Sequence, residues 1–291
     1  MVPATRRPAS AGTLAGIAWS LLNWLPVLAF IAAPLAGFLI YSVFSVRDGE
    51  ILYRPTIVNY QRFFIDGLYP SLFLRTCGLA LGVSALTLAL GYPIAFFLSQ
   101  LRGRMKYALV LAFAVPMLMS YIIKIYAIRA ILGSRGMLNQ LLIALGIIGE
   151  PSTLLLFNLG AVLVTLSVIL LPFTILPIFV ALERIPASLF EASADLGAAS
   201  WATIRRVVMP LSRQGAVTGG VFTFVLALGD FVTPQMVGGP TGMTFGRVVY
   251  SQFGLAFNWP FGAALATIMS VVVLLAMWLA NWSGRVPGAA R

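Results

Sequence analysis

Residues 183–214 read ERIPASLFEASADLGAASWATIRRVVMPLSRQ and form a polar segment between two long apolar runs. Pro186 fits the first turn of a helix. The residues that then recur at three- and four-residue spacing share one small apolar face. That face consists of Leu189, Ala192, Ser193 and Leu196.

The same segment contains signals for a turn and a second helix. Gly197 is expected to end the first helix, because glycine readily takes the left-handed conformation found at helix ends. Ser200 is expected to cap a second short helix, which Pro210 then limits. A connector between two helices needs fewer than about thirty residues, so the segment is interpreted as a docking element.

Composition places most of this chain in a membrane. Of its 291 residues, 60% are hydrophobic and 9% are charged, whereas an ordinary soluble domain carries about 25% charged residues. Long apolar runs are typical of helices that cross a bilayer, because a helix satisfies its own backbone amides. The sequence therefore predicts an all-α membrane protein with six transmembrane helices. The predicted helices lie at about 19–46, 71–100, 107–128, 154–182, 215–232 and 262–282.

The first apolar run is interpreted as a retained helix. It follows Arg6 and Arg7, as the apolar part of a signal peptide would, but it is too long and lacks a clear small-residue cleavage site.

The predicted organisation is an N-terminal tail at 1–18, a six-helix transmembrane domain at 19–282 and a C-terminal tail at 283–291.

The distribution of basic residues predicts the orientation. Short cytoplasmic loops are enriched in Lys and Arg, and eleven basic residues of this chain fall on one side of the predicted topology against seven on the other. The eleven are Arg6, Arg7, Arg102, Arg104, Lys106, Arg184, Arg205, Arg206, Arg213, Arg285 and Arg291. The acidic residues leave a net charge of about +8 on that side and about +2 on the other. Both termini and the segment 183–214 are therefore expected to face the cytoplasm.

The chain contains few of the residues that catalysis or metal binding would need. The chain has no histidine and one cysteine, Cys77, which removes the commonest general base and leaves no thiolate cluster for a metal. No phosphate-binding loop, HExxH or GxSxG pattern occurs. The net charge of +11 does not indicate nucleic acid, since the basic residues lie between apolar segments and not on a polar face with aromatics. We expect no catalytic residue, no metal site and no cofactor in this chain.

The loop also carries a resemblance to a known family. Glu191-Ala192-Ser193 is followed after three residues by Gly197, then after nine residues by Val207, and after one more by Met209-Pro210. This pattern resembles the EAA loop of ATP-binding-cassette (ABC) importer permeases, which reads Glu-Ala-Ala, three residues, Gly, nine residues, Ile, one residue, Leu-Pro. The spacing matches in full, and the departures are Ser193 for Ala, Val207 for Ile and Met209 for Leu.

The resemblance implies a type I ABC importer permease fold in which the first helix of the loop is a coupling helix. In that family this helix inserts into a groove on the ATP-binding subunit. The residues implied in that docking are Leu189, Glu191, Ala192, Ser193, Leu196, Gly197, Val207 and Pro210. Glu191 is expected at the rim, or paired with a basic group on the partner or with Arg205 or Arg206. The alternative is an amphipathic helix lying on the bilayer surface.

A second resemblance narrows the subfamily. Residues 228–240, LGDFVTPQMVGGP, are similar to the end of the fifth span in permeases of the spermidine/putrescine type. Asn59-Tyr60 and the run 136–139, GMLN, match the same type. The implied solute is small, cationic and polyamine-like, although permeases of this broad subfamily also carry iron, opines, amino acids or phosphonates.

Asp230 is the candidate solute residue. It comes about fifteen residues after the inner end of the predicted fifth span, or about 22 Å along a helix, and a carboxylate at that depth usually faces a polar path. A cationic solute would be attracted there. Alternatively, Asp230 accepts hydrogen bonds from backbone amides freed where Pro234 breaks the helix. Gly229, Phe231 and Pro234 are expected to shape a gate.

The partners follow from the resemblance. They are two ATP-binding subunits that hold ATP and Mg²⁺, a second homologous permease or a second copy of this chain, and a periplasmic or extracellular solute-binding protein, all at a bacterial inner membrane. Arg135 and Asn139, beside a predicted short helix at 136–145, are docking candidates for the binding protein. An ion-coupled secondary transporter is the other class considered. The predicted spans contain few acidic residues and the chain has no persuasive internal repeat, so the sequence gives that class little support.

Overall fold

The computed structural model describes residues 25–26, 29–30 and 32–284, and helices occupy most of that range. A short antiparallel hairpin, in which Val46 lies opposite Ile51, connects the first helix to the rest. In chain order the elements are α1 (Ala32–Ser42), β1 (Ser45–Arg47), β2 (Glu50–Leu52), α2 (Val58–Ile65), α3 (Leu68–Gln100), α4 (Arg104–Leu118), α5 (Tyr121–Leu132), α6 (Met137–Ala144), α7 (Leu159–Glu183), α8 (Ala187–Asp195), α9 (Ser200–Thr203), a π-helical stretch (Ile204–Val208), α10 (Met209–Gly229), α11 (Val232–Val237), α12 (Phe245–Gly254) and α13 (Trp259–Gly284).

Four single helices within the described residues are long and apolar enough to cross a membrane. They are Leu68–Gln100, Leu159–Glu183, Ser200–Gly229 and Trp259–Trp282. A bent pair raises the number to five if it counts as one span. The predicted helices at 71–100 and 262–282 are confirmed as α3 and α13, which are long and apolar, although α3 contains Pro93.

The third predicted span, at 107–128, is not one continuous helix. Helix α4 ends at Leu118, and the chain is extended at Met119 and Ser120 before α5 begins. The segments Arg104–Leu118 and Tyr121–Ala144 are bent by 102° relative to each other. Pro116 lies just before this break and has no N–H to continue the helical ladder, which weakens the helix at that point.

The fourth and fifth predicted spans are displaced at their ends. Residues 154–158 precede α7 as turns, because Asn158 caps that helix by accepting a hydrogen bond from the Ala161 N–H over 2.9 Å. The fifth helix begins well before residue 215 and ends at Gly229, three residues earlier than predicted. The start of α7 and the end of α10 are therefore set by individual polar side chains, and not by where the apolar run begins or ends.

The first predicted span lies partly outside the described residues. Residues 1–24, 27–28, 31 and 285–291 are not among them, and these include the N-terminal tail and most of the C-terminal tail. Helix α1 confirms the predicted helix over residues 32–42. Residues 45 and 46 were expected to be helical and form strand β1 instead.

Helices α3, α7 and α10 form the centre of the bundle and approach each other closely through glycine. A Cβ on Gly219 of α10 would lie 2.9 Å from the Thr174 carbonyl oxygen of α7. A Cβ on Gly220 would lie 3.0 Å from Leu88 of α3. Small residues at such contacts let helix backbones pack tightly, as is common within membranes.

Buried hydroxyl groups add hydrogen bonds between the same helices. The Thr174 and Thr223 hydroxyls are 2.6 Å apart, which joins α7 to α10. Ser84 of α3 donates to the Gly220 carbonyl over 2.8 Å. These contacts fix the register of three helices that connect the two ends of the molecule.

Candidate functional site

Helix α8 is set between a proline and a glycine. Pro186 has an extended backbone (φ −62°, ψ 138°) and directly precedes the first helical residue, so its missing N–H interrupts no helical hydrogen bond. Gly197 follows the helix at φ +71°, and its N–H donates to the Ala194 carbonyl over 2.9 Å. The predicted order of helix, glycine turn and second helix is confirmed.

A hydroxyl contact joins α8 to the second helix. The Ser193 Oγ lies 2.7 Å from the Thr203 Oγ1, and Ser193 is half-buried. The predicted cap at Ser200 is wrong, since Ala199 occupies the N-cap position and no side chain caps α9. The Ser193 to Thr203 contact and the backbone at Gly197 hold the turn instead.

The rest of α8 and the turn that follows it are mostly exposed. Leu196 is 87% exposed and Leu189 is 39% exposed, and Glu191 and Ala192 are exposed with them. Trp201, just past the turn, is 65% exposed. We call Leu189, Leu196 and Trp201 the apolar tip.

The residue that holds α8 to the bundle is Phe190, which the sequence interpretation missed. Phe190 and Ile185 both pack against the buried cluster of Leu98, Ile178, Leu182 and Val208. Ile185 precedes the N-cap and Phe190 is the fourth residue of α8, the two positions that form a hydrophobic staple. That spacing was the available sequence signal.

Glu191 does not pair with Arg205 or Arg206, which corrects the intramolecular part of that expectation. Glu191, Arg205 and Arg206 are all exposed. Among the described residues, the ion pair that the structure contains joins Lys106 to Glu183 over 2.7 Å. Glu191 therefore has a free carboxylate for a group outside this chain.

Pro210 does not limit the second helix. Residues Ser200–Gly229 form one helix of 30 residues, with the π-helical stretch immediately before Pro210. There the Met209 N–H donates to the Ile204 carbonyl, five residues back. The wider turn accommodates a proline that has no N–H for the usual acceptor four residues earlier. Val207 is half-buried within this stretch, so the loop is continuous with the membrane helix.

At the far end of α10, Asp230 ends the helix and caps the next one. Helix α10 has 21 residues, so Asp230 lies about 30 Å from its start. Its Oδ1 accepts from the Val232 N–H over 3.3 Å, and its Oδ2 accepts from the Thr233 N–H over 3.1 Å. The cap that the sequence offered as one alternative is present, and Asp230 follows the helix instead of lying inside it.

An aromatic pair lies beside Asp230. The rings of Phe231 and Tyr250 are stacked, with centroids 4.4 Å apart and planes 11° from parallel. Pro234 is buried and Gly229 is exposed. Tyr250 belongs to α12 and was not predicted, because nothing local in the sequence relates it to Phe231.

Asn139 is a structural residue, contrary to its predicted place in a docking surface. The predicted short helix is confirmed as α6, but the Asn139 side chain is fully buried. It donates to the Gly133 carbonyl over 2.9 Å and to the Ser152 carbonyl over 3.0 Å. Arg135 is exposed and remains free for contact.

The fold and this site define a class of protein. A bundle of apolar helices with an exposed polar helix at one end, and helices broken around a carboxylate at the other, is that of a membrane permease. The model of the family described as binding-protein-dependent transport system inner membrane component matches residues 87–285. The chain belongs to this family, and it is a permease subunit of an ABC importer.

Curated relatives span nearly the whole chain. The spermidine/putrescine transport system permease protein PotB of Escherichia coli (strain K12) is 32% identical over 267 residues, covering 90% of this chain and 95% of that protein. The inner membrane ABC transporter permease protein YdcU of the same organism is 40% identical over 275 residues, covering 89% and 85%.

Solved structures share the fold. A chain of the bacterial ABC transporter involved in the import of the acidic polysaccharide alginate has a TM-score of 0.71 at 18% identity, covering 94% of this chain and 96% of that one. A chain of the MetNI methionine ABC transporter in an inward-facing conformation has a TM-score of 0.55 at 20% identity, covering 76% and 98%.

Proposed function

We propose that this permease moves a small cationic, polyamine-like solute into the cytoplasm by alternating access, and that an ATP-binding subunit docks on α8 to drive it. The observation that carries the proposal is the exposed apolar tip at a helix that Phe190 anchors to the bundle. A rigid helix that offers Leu196 at 87% exposure beside a carboxylate suits insertion into a partner.

Protein docking fits α8 better than adsorption to lipid. Helices that lie on a bilayer are typically rich in Lys and Arg on their polar face. Helix α8 contains Glu191 and Asp195 and no basic residue. Tryptophan is enriched among the residues that anchor protein interfaces, and Trp201 is 65% exposed beside Leu196. Glu191 would then pair with a basic group at the pocket's rim.

Movement of α8 would be transmitted to the membrane helices through two connections. Residues 184–186 connect α8 directly to α7, and the helix Ser200–Gly229 continues from the loop to Asp230 without a stop. Closure of the ATP-binding subunits would move α8 and open the pathway outward, and hydrolysis would reset it. In this mechanism the partner subunits hold ATP and Mg²⁺, and this chain contributes no catalytic residue.

Asp230 supports a cationic solute. It is half-buried, and no basic side chain pairs with it among the described residues. Two backbone amides of α11 donate to this carboxylate, and the Tyr121 and Thr233 side chains also interact with it, so its partners among the described residues are all neutral. A charge in this position is stabilised when a cation approaches it, and the PotB relative is named for spermidine and putrescine.

The assembly we propose contains two permeases, two ATP-binding subunits and a solute-binding protein at a bacterial inner membrane. The second permease is a homologue or a second copy of this chain. Six spans are proposed, with residues 19–282 as the membrane domain, tails at 1–18 and 283–291, and both termini and the loop 183–214 on the cytoplasmic side. The concentration of Arg102, Arg104, Lys106, Arg184, Arg205 and Arg206 at the α8 end supports this orientation.

Docking is tested by Leu196→Arg in the assembled transporter. We expect the ATP-binding subunit to be lost when the permease is purified, because an arginine cannot be buried unpaired in an apolar pocket. Met105→Arg is the matched control, since Met105 is also an exposed apolar residue, at 62%, near the same end of the bundle. Normal retention of the ATP-binding subunit by Leu196→Arg would remove the coupling role.

The solute is tested by Asp230→Asn, which removes the charge and keeps one of the two oxygens that cap α11. We expect spermidine uptake to fall about tenfold, because a hydrogen bond to a charged group contributes about 1.5–3 kcal/mol. Asp66→Asn is the control, since Asp66 is exposed and also accepts a backbone N–H, from Leu68 over 3.1 Å. If Asp230→Asn transports spermidine at the wild-type rate, the carboxylate has only the capping role.

A further inference from the structure

A second connection between the coupling loop and the membrane helices is formed by Lys106 of α4 and Glu183, the last residue of α7. The Lys106 Nζ lies 2.7 Å from a carboxylate oxygen of Glu183, with side-chain exposures of 14% and 37%. Lys106 is mostly buried and Glu183 is partly exposed, so water screens the pair less than a fully exposed ion pair but more than a buried one. The pair joins the first turn of α4 to the last residue of α7.

Lys106 contacts a third helix as well. Its Nζ donates to the Ser99 carbonyl at the end of α3 over 3.3 Å and lies 5.7 Å from the centre of the Phe179 ring of α7. One ammonium group thus joins the ends of α3, α4 and α7. Arg102 and Arg104 are close in sequence but exposed, and neither forms an ion pair within the described part of the chain.

The pair lies directly beside the base of α8. Glu183 is separated from α8 by residues 184–186. Lys106 and Glu183 line a cleft of about 290 Å³ together with Ser99 and Phe190, and Phe190 is the anchor of α8. A displacement of α8 therefore acts on the Lys106 to Glu183 pair before it reaches the middle of the bundle.

We infer that Lys106 and Glu183 are positioning residues that transmit the movement of α8 to α3 and α4, in addition to its direct connection to α7. The inference rests on the proposed coupling role of α8. With the pair intact, the cytoplasmic ends of the three helices move as one unit with α8. Without it, α8 moves α7 alone, and ATP hydrolysis is completed with less opening of the pathway.

The test uses the complete transporter in proteoliposomes and compares spermidine uptake with ATP hydrolysis. Lys106→Gln and Glu183→Gln are each expected to lower the spermidine moved per ATP about threefold, with the permease and ATP-binding subunits present in normal amounts. The charge-reversed double variant Lys106→Glu with Glu183→Lys is expected to recover part of the loss, because it restores the ion pair but not the hydrogen bond of residue 106 to the Ser99 carbonyl. A merely structural defect would reduce the amount of complex and leave this ratio unchanged.

Arg102→Gln is the matched control, because it removes one positive charge from the loop just before α4 without breaking an ion pair. An unchanged ratio in both single variants overturns the inference, and so does a charge-reversed variant no better than Lys106→Gln. These results are distinct from failure of the coupling role itself, which Leu196→Arg reports through retention of the ATP-binding subunit. Retention is measured without any solute.

Discussion

The Tyr121 hydroxyl lies 2.9 Å from the Thr233 Oγ1, and this contact joins two helices where each of them is broken. Tyr121 begins α5 directly after the bend that follows α4. Thr233 lies in α11, which begins directly after the end of α10, and its N–H donates to Asp230. The two breaks are therefore held together at the end of the molecule opposite α8.

Removing this contact should loosen the closed arrangement of that end. A neutral hydrogen bond contributes about 1 kcal/mol, so in Tyr121→Phe we expect ATP hydrolysis in the absence of the solute-binding protein to rise severalfold. Tyr126→Phe is the control, because Tyr126 is exposed on the same helix. Equal rates in the two variants would show that the Tyr121 contact has no role in closure.

The backbone of Gly197 should be essential for coupling. At φ +71° a β-branched side chain is strongly disfavoured, whereas asparagine tolerates this region. We expect Gly197→Val to reach the membrane in normal amounts but to lose ATP-driven uptake, and Gly197→Asn to retain most of it. The measurement is uptake normalised to permease in the membrane. Wild-type uptake by Gly197→Val would mean that the turn is not part of the coupling element.

Tight packing of α10 on α7 should be sensitive to a single methyl group. Gly219→Ala places a Cβ 2.9 Å from the Thr174 carbonyl oxygen, and overpacking of this kind costs about 1–3 kcal/mol. Gly78→Ala meets no atom within 4 Å and should be neutral or stabilising, since alanine favours a helix. Thermal unfolding of the purified transporter in detergent compares the two. A melting temperature for Gly219→Ala as high as for Gly78→Ala would contradict the close approach.

The anchor of α8 should be separable from its exposed tip. In Phe190→Ala we expect amide exchange in α8 to accelerate about tenfold, because the half-buried ring that holds the helix to the bundle is lost. Phe64→Ala removes an exposed ring, 72% accessible, and should leave exchange in α8 unchanged. Slow exchange in Phe190→Ala would show that other contacts hold α8.

The existence of the long helices could be predicted from the sequence, but their interruptions could not. Pro93, Pro172 and Pro177 lie inside continuous helices, and Pro210 follows a π-helical stretch in a continuous one. Pro116, by contrast, precedes a bend of 102°. The local sequences do not separate these outcomes, because neighbouring helices decide whether the freed carbonyl groups find new partners.

The candidate site also combines features that could be predicted from the sequence with features that could not. The helix, the left-handed Gly197 and the exposed Leu196 are local features, and the spacing of residues 186–197 was sufficient to predict them. The contacts between Tyr121 and Thr233, Phe231 and Tyr250, and Lys106 and Glu183 join residues far apart in the chain. Such pairs depend on how the helices pack, and a single sequence contains no signal for them.

The central claim is that α8 enters a separate ATP-binding subunit. The most direct measurement attaches a thiol-reactive photo-cross-linker to L196C in a Cys77→Ser background, where this chain has no other thiol. The labelled permease is then assembled with its partners and irradiated. The expected product is a covalent adduct of the permease with the ATP-binding subunit, absent when M105C carries the same probe. An intact complex in which the probe at position 196 reacts only with lipid would contradict the account.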